Sequence, residues 1–310
     1  MEASYIKAYN SGRLQEALRR ASLWMKKCTL CPRLCGVDRT ADERGFCRTG
    51  RRAVVASFGP HYGEERPLVG KSGSGTIFFS HCNLFCVFCQ NHDISHGGAG
   101  TPAGPEELAG VMLSLQRAGC HNINFVTPSH VIHAIMEALV LAVEGGLKVP
   151  LVYNCGGYER VAALKLLDGI VDIYMPDFKF WSVETSRDLM NAPDYPERAR
   201  AALKEMHRQV GDLVMDRSGV ARRGVLVRHL VMPNGIAGTG EVAQFLAGEI
   251  SAGTYINIMD QYHPCWEAFG NRRISRRITP EEYRAALEAA RRAGLTRFDD
   301  RHRHWVDIEF

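Results

Sequence analysis

From Thr76 onward the chain alternates short runs of β-branched and apolar residues with stretches whose apolar positions recur at helical spacing. That alternation predicts βα units feeding a parallel sheet. Six strands are expected, at residues 76–80, 122–126, 149–154, 171–177, 224–231 and 254–260. Between the first two, Leu108, Val111, Met112 and Leu115 fall at i, i+3, i+4 and i+7, one apolar face of a helix opened by Pro105. Ahead of a helix over 283–293, Thr279, Pro280 and Glu282 spell a capping box. Six units fall short of the eight that close a full barrel, so the expected fold is α/β, a partial (β/α)6 TIM-like barrel. A doubly wound open sheet carries the same pattern and stands as the alternative. In either, the loops after the strand C-termini build the functional site.

Composition adds boundaries to this picture. The chain has 310 residues, 45% of them apolar, enough for one large core with an appendage. The division expected is an N-terminal helix and cysteine-rich metal-binding module over 1–75, the barrel over 76–295 and a tail over 296–310. No uncharged apolar run reaches membrane-spanning length, and residues 1–20 are polar and charged, so the sequence reads as a soluble cytoplasmic protein. A net charge of +4 on a chain with 23% charged residues gives little reason to expect nucleic acid. Arg272, Arg273, Arg276 and Arg277 form the one local basic run, read as a solvated loop before a helix.

Cysteine placement changes the picture most. Ten cysteines in a chain this long, without an export signal, point to metal or cluster ligation and away from disulfides. Seven lie between Cys28 and Cys89. Directly after the first expected strand comes His81-Cys82-Asn83-Leu84-Phe85-Cys86-Val87-Phe88-Cys89-Gln90-Asn91. Three thiolates at this spacing can ligate three irons of a cubane and leave the fourth open to a small chelating molecule. Structural zinc ordinarily takes four ligands, which this loop does not offer.

A CxxxCxxC loop after the first strand of a βα array resembles the radical S-adenosylmethionine superfamily. Cys89-Gln90-Asn91, Asp177-Phe178-Lys179 and Arg228-His229-Leu230-Val231 resemble the pyruvate formate-lyase activating enzyme group, in a branch with a cysteine-rich N-terminus; the likeness runs from about Cys28 to Trp266. The resemblance implies a [4Fe-4S] cluster on Cys82, Cys86 and Cys89 that reductively cleaves S-adenosylmethionine to methionine and a 5′-deoxyadenosyl radical. The radical then abstracts hydrogen from a substrate, a glycyl radical enzyme in the activating enzymes, otherwise a peptide or small molecule. A low-potential electron donor of flavodoxin or ferredoxin type is implied as partner.

The same resemblance assigns candidate contacts. Phe88 would lie beside the cluster. Thr127 and Ser129 replace the family's Gly-Gly-Glu-like turn, with Ser129 as an alternative helix cap. Asn154 is the ribose contact, and Glu159 is read as opening the next helix. Asp177 and Lys179 share one face of a strand end, where Lys179 would neutralise the methionine carboxylate and Asp177 would accept from the ribose or hold Lys179. His229 is placed toward the adenosyl group, with Arg228 between strand and helices. Gln261 and Tyr262 are candidate substrate contacts, and Cys155 and Cys265 follow strand ends where a thiol could donate a hydrogen atom or stay inert.

Ahead of the barrel, Cys28-x₂-Cys31-x₃-Cys35-x₁₁-Cys47 offers four thiols with turn residues Pro32, Gly36 and Gly45. Zinc and a second iron-sulfur cluster both satisfy this set. A non-catalytic zinc module using the Arg272–Arg277 run for RNA is the remote alternative.

Overall fold

The structure is a computed structural model that describes residues 2–299. Its centre is a run of parallel strands: β2 (Ser74–Phe79), β4 (Ile123–Val126), β5 (Leu151–Cys155), β6 (Ile173–Pro176), β8 (Ala221–Leu230) and β9 (Tyr255–Met259). These match the six expected strands. They pair in the order β2-β4-β5-β6-β8-β9, each strand beside its successor. A doubly wound sheet reverses direction at a switch point, and this order contains none. The sheet's two ends, β3 (Thr101–Ala103) and β10 (Arg297–Phe298), are not paired to each other, so the barrel stays open.

Two additions were not anticipated. β1 (Ala53–His61) lies antiparallel to both β2 and β3, so the sheet begins inside the stretch expected to be the cysteine module. β10 pairs in parallel with β9, which brings the start of the expected tail into the sheet; residues from 300 onward lie outside the described residues. β7 (Val214–Met215) adds a short antiparallel pair to β8.

Strand alternation sorts the apolar residues into two cores. One face of the sheet, with Tyr153, Tyr174, Val225, Val227 and Ile258, packs on the helices. The other fills the lumen with Val152, Ile173, Met175 and Leu226, against Leu68 from the helical turn Arg66–Val69. The helix Pro105–Arg117 buries Leu108, Met112 and Leu115 as its spacing requires. Thr279 accepts from Glu282 N and donates its own N–H to the Glu282 carboxylate at 2.8 Å, completing the capping box of Pro280–Arg292. The N-terminal helices Ser4–Asn10 and Arg13–Met25, broken at Gly12 (φ 78°), pack against Ile132–Glu144. No helix among the described residues is long and apolar enough to cross a membrane.

Candidate active site

The loop carrying the CxxxCxxC triplet leaves β2 through a turn at His81 (φ 69°), whose N–H donates to Ile94 O. Val87 N donates to Leu189 O and buried Asn83 Nδ2 to Tyr158 O at 2.7 Å, so the loop is fastened on both sides. Phe88 is buried against Phe180 and Tyr262, with ring centroids 5.5 and 6.4 Å away, and floors the loop. Leu84 N donates to Cys82 Sγ at 3.3 Å. Burial pushes the Cys82 thiol up to about 12 and that of Cys86 higher still; the Lys179 ammonium pulls against both. Buried thiols of this kind give up their protons when metal replaces them.

Cys86, Phe88 and Cys89 share a cavity of about 230 Å³ with Asp177, Lys179, Arg228 and Gln261, at the C-terminal ends of β6, β8 and β9. Lys179 Nζ donates to Asp177 Oδ2 at 2.6 Å, and Arg228 Nε to Asp177 Oδ1 at 2.8 Å. Arg228 Nη2 also donates to Asn154 Oδ1 at 2.7 Å. Burial alone would raise the Asp177 carboxyl, but the Arg228 and Lys179 cations carry it below its ordinary value. Burial opposes the charge on Lys179 too, and Asp177 and Cys86 more than restore it.

The order of the two β8 residues is the reverse of that expected. Arg228 faces the lumen and His229 faces the helices, because Leu226, Arg228 and Leu230 share the inner side of an extended strand while Val225, Val227 and His229 share the outer one. His229 Nδ1 bonds Phe178 O at 2.7 Å and Nε2 bonds Thr239 Oγ1 at 2.8 Å. A carbonyl only accepts, so the neutral ring carries its proton on Nδ1. Burial lowers this imidazole to about 4.

Ser129 and Glu159 also depart from expectation. The next helix begins at Ile132 with Val131 as its cap, so Ser129 caps nothing; its hydroxyl donates to Glu159 Oε1, and Tyr153 OH donates to Oε2 at 3.0 Å. Glu159 precedes the helix Val161–Leu164 and is buried, which raises its carboxyl to about 7. Cys155 sits beside this carboxylate on the outer face of β5, away from the cavity. Thr127, in the left-handed region at φ 61°, donates its N–H to Asn154 O at the mouth of β4. Gln261 lines the cavity, whereas Tyr262 is buried with its hydroxyl on Ile274 O at 2.6 Å and braces the loop. Cys265 is half-buried and close enough to Cys89 to feel its charge.

Two neighbours of the site had no signal in motif spacing. Ser95 Oγ lies 3.1 Å from Cys89 Sγ and 2.8 Å from His96 Nδ1. Glu64 Oε2 stands 3.8 Å from Arg228 Nη1, delivered by the loop between β1 and β2. In the basic run, Arg276 pairs with Glu282 at 2.7 Å and Arg273 with Asp188 at 3.3 Å, which fastens the loop to neighbouring helices.

The N-terminal cysteines lie against this loop. Cys28, Cys31 and Cys47 are buried, and Cys35 is half-buried with its Sγ filling the space where Gly45 lacks a side chain. Cys28 N donates to Val37 O and Gly36 N to Cys28 O, a tight knuckle. Cys31 senses the charge of Cys28 and Cys47, and Cys47 is near enough to act on Cys82. Arg33 stacks over Phe46 at 3.6 Å and donates to Asn83 O at 2.9 Å, joining the two cysteine segments. Arg39, 2% exposed, donates to Gly50 O and His130 O, lies against the Cys28 thiol, and pairs with no carboxylate among the described residues. An anionic thiolate centre would supply the missing countercharge.

Among the described residues no three His, Cys, Asp or Glu side chains converge tightly enough to hold a single ion. A cubane spreads its thiolates over separate irons, and the donor set at Cys82, Cys86 and Cys89, with Lys179 beside it, fits such a group.

These features define an α/β protein built on a partial barrel with a cysteine loop after its first core strand. The Radical SAM superfamily model matches residues 76–220. The Uncharacterized protein MJ0674 of Methanocaldococcus jannaschii is 34% identical over 280 residues, covering 87% of this chain and 76% of that protein. The chain carries a radical SAM superfamily domain and belongs to one family with that Methanocaldococcus jannaschii protein. Among solved structures it is similar to native anSMEcpe with bound AdoMet (TM-score 0.48, 11% identity, 71% of this chain and 61% of that one). It is also similar to Streptococcus suis SuiB bound to precursor peptide SuiA (TM-score 0.46, 12% identity, 67% of this chain and 42% of that one). The chain thus spans less than two thirds of either solved chain.

Proposed function

We propose that this protein cleaves S-adenosylmethionine reductively at a [4Fe-4S] cluster held by Cys82, Cys86 and Cys89, and abstracts hydrogen from a glycine of a partner protein. The observation that carries the first part is the shared cavity of Cys86, Cys89, Asp177, Lys179 and Arg228. The glycine target rests on the resemblance to activating enzymes. When bound, the cluster and S-adenosylmethionine supply the electron transfer and the 5′-deoxyadenosyl radical.

The chain's own share is binding, orientation and exclusion of water. Lys179 and Arg228, paired with Asp177 and, for Arg228, with Glu64 at 3.8 Å, line the cavity with cationic donors that suit a methionine carboxylate. Asn154, held by Arg228, is set to meet a ribose hydroxyl. Phe88 keeps the cluster side dry, and Gln261 offers a polar group at the rim. Cys28, Cys31, Cys35 and Cys47 would hold a second centre; since no three of them converge on a single ion, a cluster suits their placement better than zinc.

Anaerobic reconstitution followed by dithionite reduction should yield 5′-deoxyadenosine, and Cys86→Ala should abolish it. No product, or product undiminished in the variant, would overturn the reading. A glycyl radical signal on a co-expressed partner tests the target, and iron and zinc counts on the same sample identify the second centre.

A further inference from the structure

A recess of about 450 Å³ opens on the surface where the N-terminal module meets β1. Arg44, Arg48, Arg51 and Arg52 line it with His81, against the single lining carboxylate of Asp42. The charges are weakly compensated. Arg44 Nη2 is 3.5 Å from Asp42, Arg51 is 3.7 Å from Glu137, and the Arg52 guanidinium has no carboxylate partner among the described residues. All four arginines are exposed. Four cations gathered around one concavity repel each other, and each added positive charge raises the cost of the next unless an anion arrives.

The position of the recess decides what kind of anion. Its wall residue Arg48 directly follows Cys47, and its wall residue His81 directly precedes Cys82. One surface therefore touches both cysteine sets. The Arg48 guanidinium sits 5.1 Å from the Phe85 ring inside the CxxxCxxC loop, and Phe85 in turn packs edge-on to Phe46 at 4.9 Å, beside Cys47. The substrate cavity with Lys179 and Arg228 has a different lining apart from this loop, so the recess is no part of it.

We infer that this arginine recess docks the electron donor, a small acidic protein carrying a low-potential flavin or iron-sulfur centre, whose carboxylates meet Arg44, Arg51 and Arg52. In this encounter the reduced donor loses one electron and the cluster at Cys82, Cys86 and Cys89 gains it. The inference rests on the proposed cluster there. Electrostatic docking of this kind speeds association and weakens steeply with salt.

The test replaces Arg44 and Arg52 with glutamate together, two residues outside the cluster and substrate contacts. Formation of 5′-deoxyadenosine is measured with dithionite and with a reduced acidic flavodoxin, each at low and high salt. With dithionite the variant should match the parent. With flavodoxin at low salt its kcat/KM should fall by about tenfold or more, and the parent should lose the same advantage at high salt. Equal flavodoxin-driven rates in the two proteins, or a parent rate indifferent to salt, overturn the inference. If the double variant folds poorly, Arg52→Gln alone should show a smaller loss in the same direction. If neither protein turns over with dithionite, the cluster reading fails by itself, and calorimetric binding of oxidised flavodoxin still tests the recess. Binding lost in the variant supports the recess, and binding unchanged refutes it. Preference of the recess for RNA over flavodoxin would also refute it.

Discussion

Arg228 donates from Nε to Asp177 Oδ1 at 2.8 Å, across the parallel pair that joins the ends of β6 and β8. Lys179 takes the other carboxylate oxygen at 2.6 Å. Asp177 is thus shared by two buried cations, Glu64 stands 3.8 Å from Arg228, and the donors of both cations line the cavity. A charge-assisted hydrogen bond contributes about 1.5–3 kcal/mol, so Arg228→Gln should weaken S-adenosylmethionine binding by roughly 10- to 100-fold. Equilibrium binding to the reconstituted enzyme checks this, with His229→Asn as the neighbour expected to leave affinity unchanged. Equal losses in both variants would place His229 in the site instead.

His229 should show its effect in stability. Its folded value is lowered by burial to about 4 from 6.5, so the neutral ring stabilises the fold above pH 6.5 and that contribution is lost as pH falls toward 4. The full span corresponds to about 3 kcal/mol. Denaturant unfolding of the parent at pH 7.5 and pH 5 should therefore show a larger drop than that of His229→Asn. His130 and His133 are lowered by burial as well, so a residual slope of the same sign is expected in the variant.

The strand count, the Cys82 loop, the Asp177–Lys179 pair and the Thr279 cap were legible because each depends on residues close in sequence. Alternation alone could say that Arg228 and His229 face opposite ways, but not which faces inward; that is fixed by the phase of β8 against β6 and β9, a tertiary property. Glu159 reads as a first-turn acid because an acid suits the dipole at a helix start. Gly157 (φ 78°) instead turns the chain so that Glu159 lies under Ser129, a residue 30 positions earlier. Ser95 and Glu64 reach the site on connections whose course no periodicity encodes.

Ser95 is positioned to tune the cluster proposed at Cys82, Cys86 and Cys89. Hydrogen bonds to a ligating sulfur stabilise the more negative, reduced state and raise its potential. With Ser95 Oγ 3.1 Å from Cys89 Sγ, Ser95→Ala should lower the cluster potential by an amount on the order of tens of millivolts, while Ser95→Thr should retain it. Redox titration followed by electron paramagnetic resonance reads the shift. An unchanged potential in the alanine variant would show that the hydroxyl serves His96 alone.

Metal removal at the N-terminal cysteines should be felt by Arg39. Its guanidinium is buried, always charged, and held by two carbonyls and the Cys28 thiol. With metal bound, thiolates balance that charge. Once the metal is removed the buried thiols take up protons, since burial raises Cys28 and Cys31. Arg39 is then left uncompensated, at a cost of about 3–5 kcal/mol. Arg39→Gln carries no charge to strand, so chelation should destabilise the parent by several kcal/mol more than the variant, measured as a thermodynamic cycle of unfolding free energies with and without metal. The substitution should also lower metal retention at this site, since the cation that favours thiolate is gone. A cycle in which chelation costs both proteins the same would mean that Arg39 answers to its carbonyls and not to a metal centre.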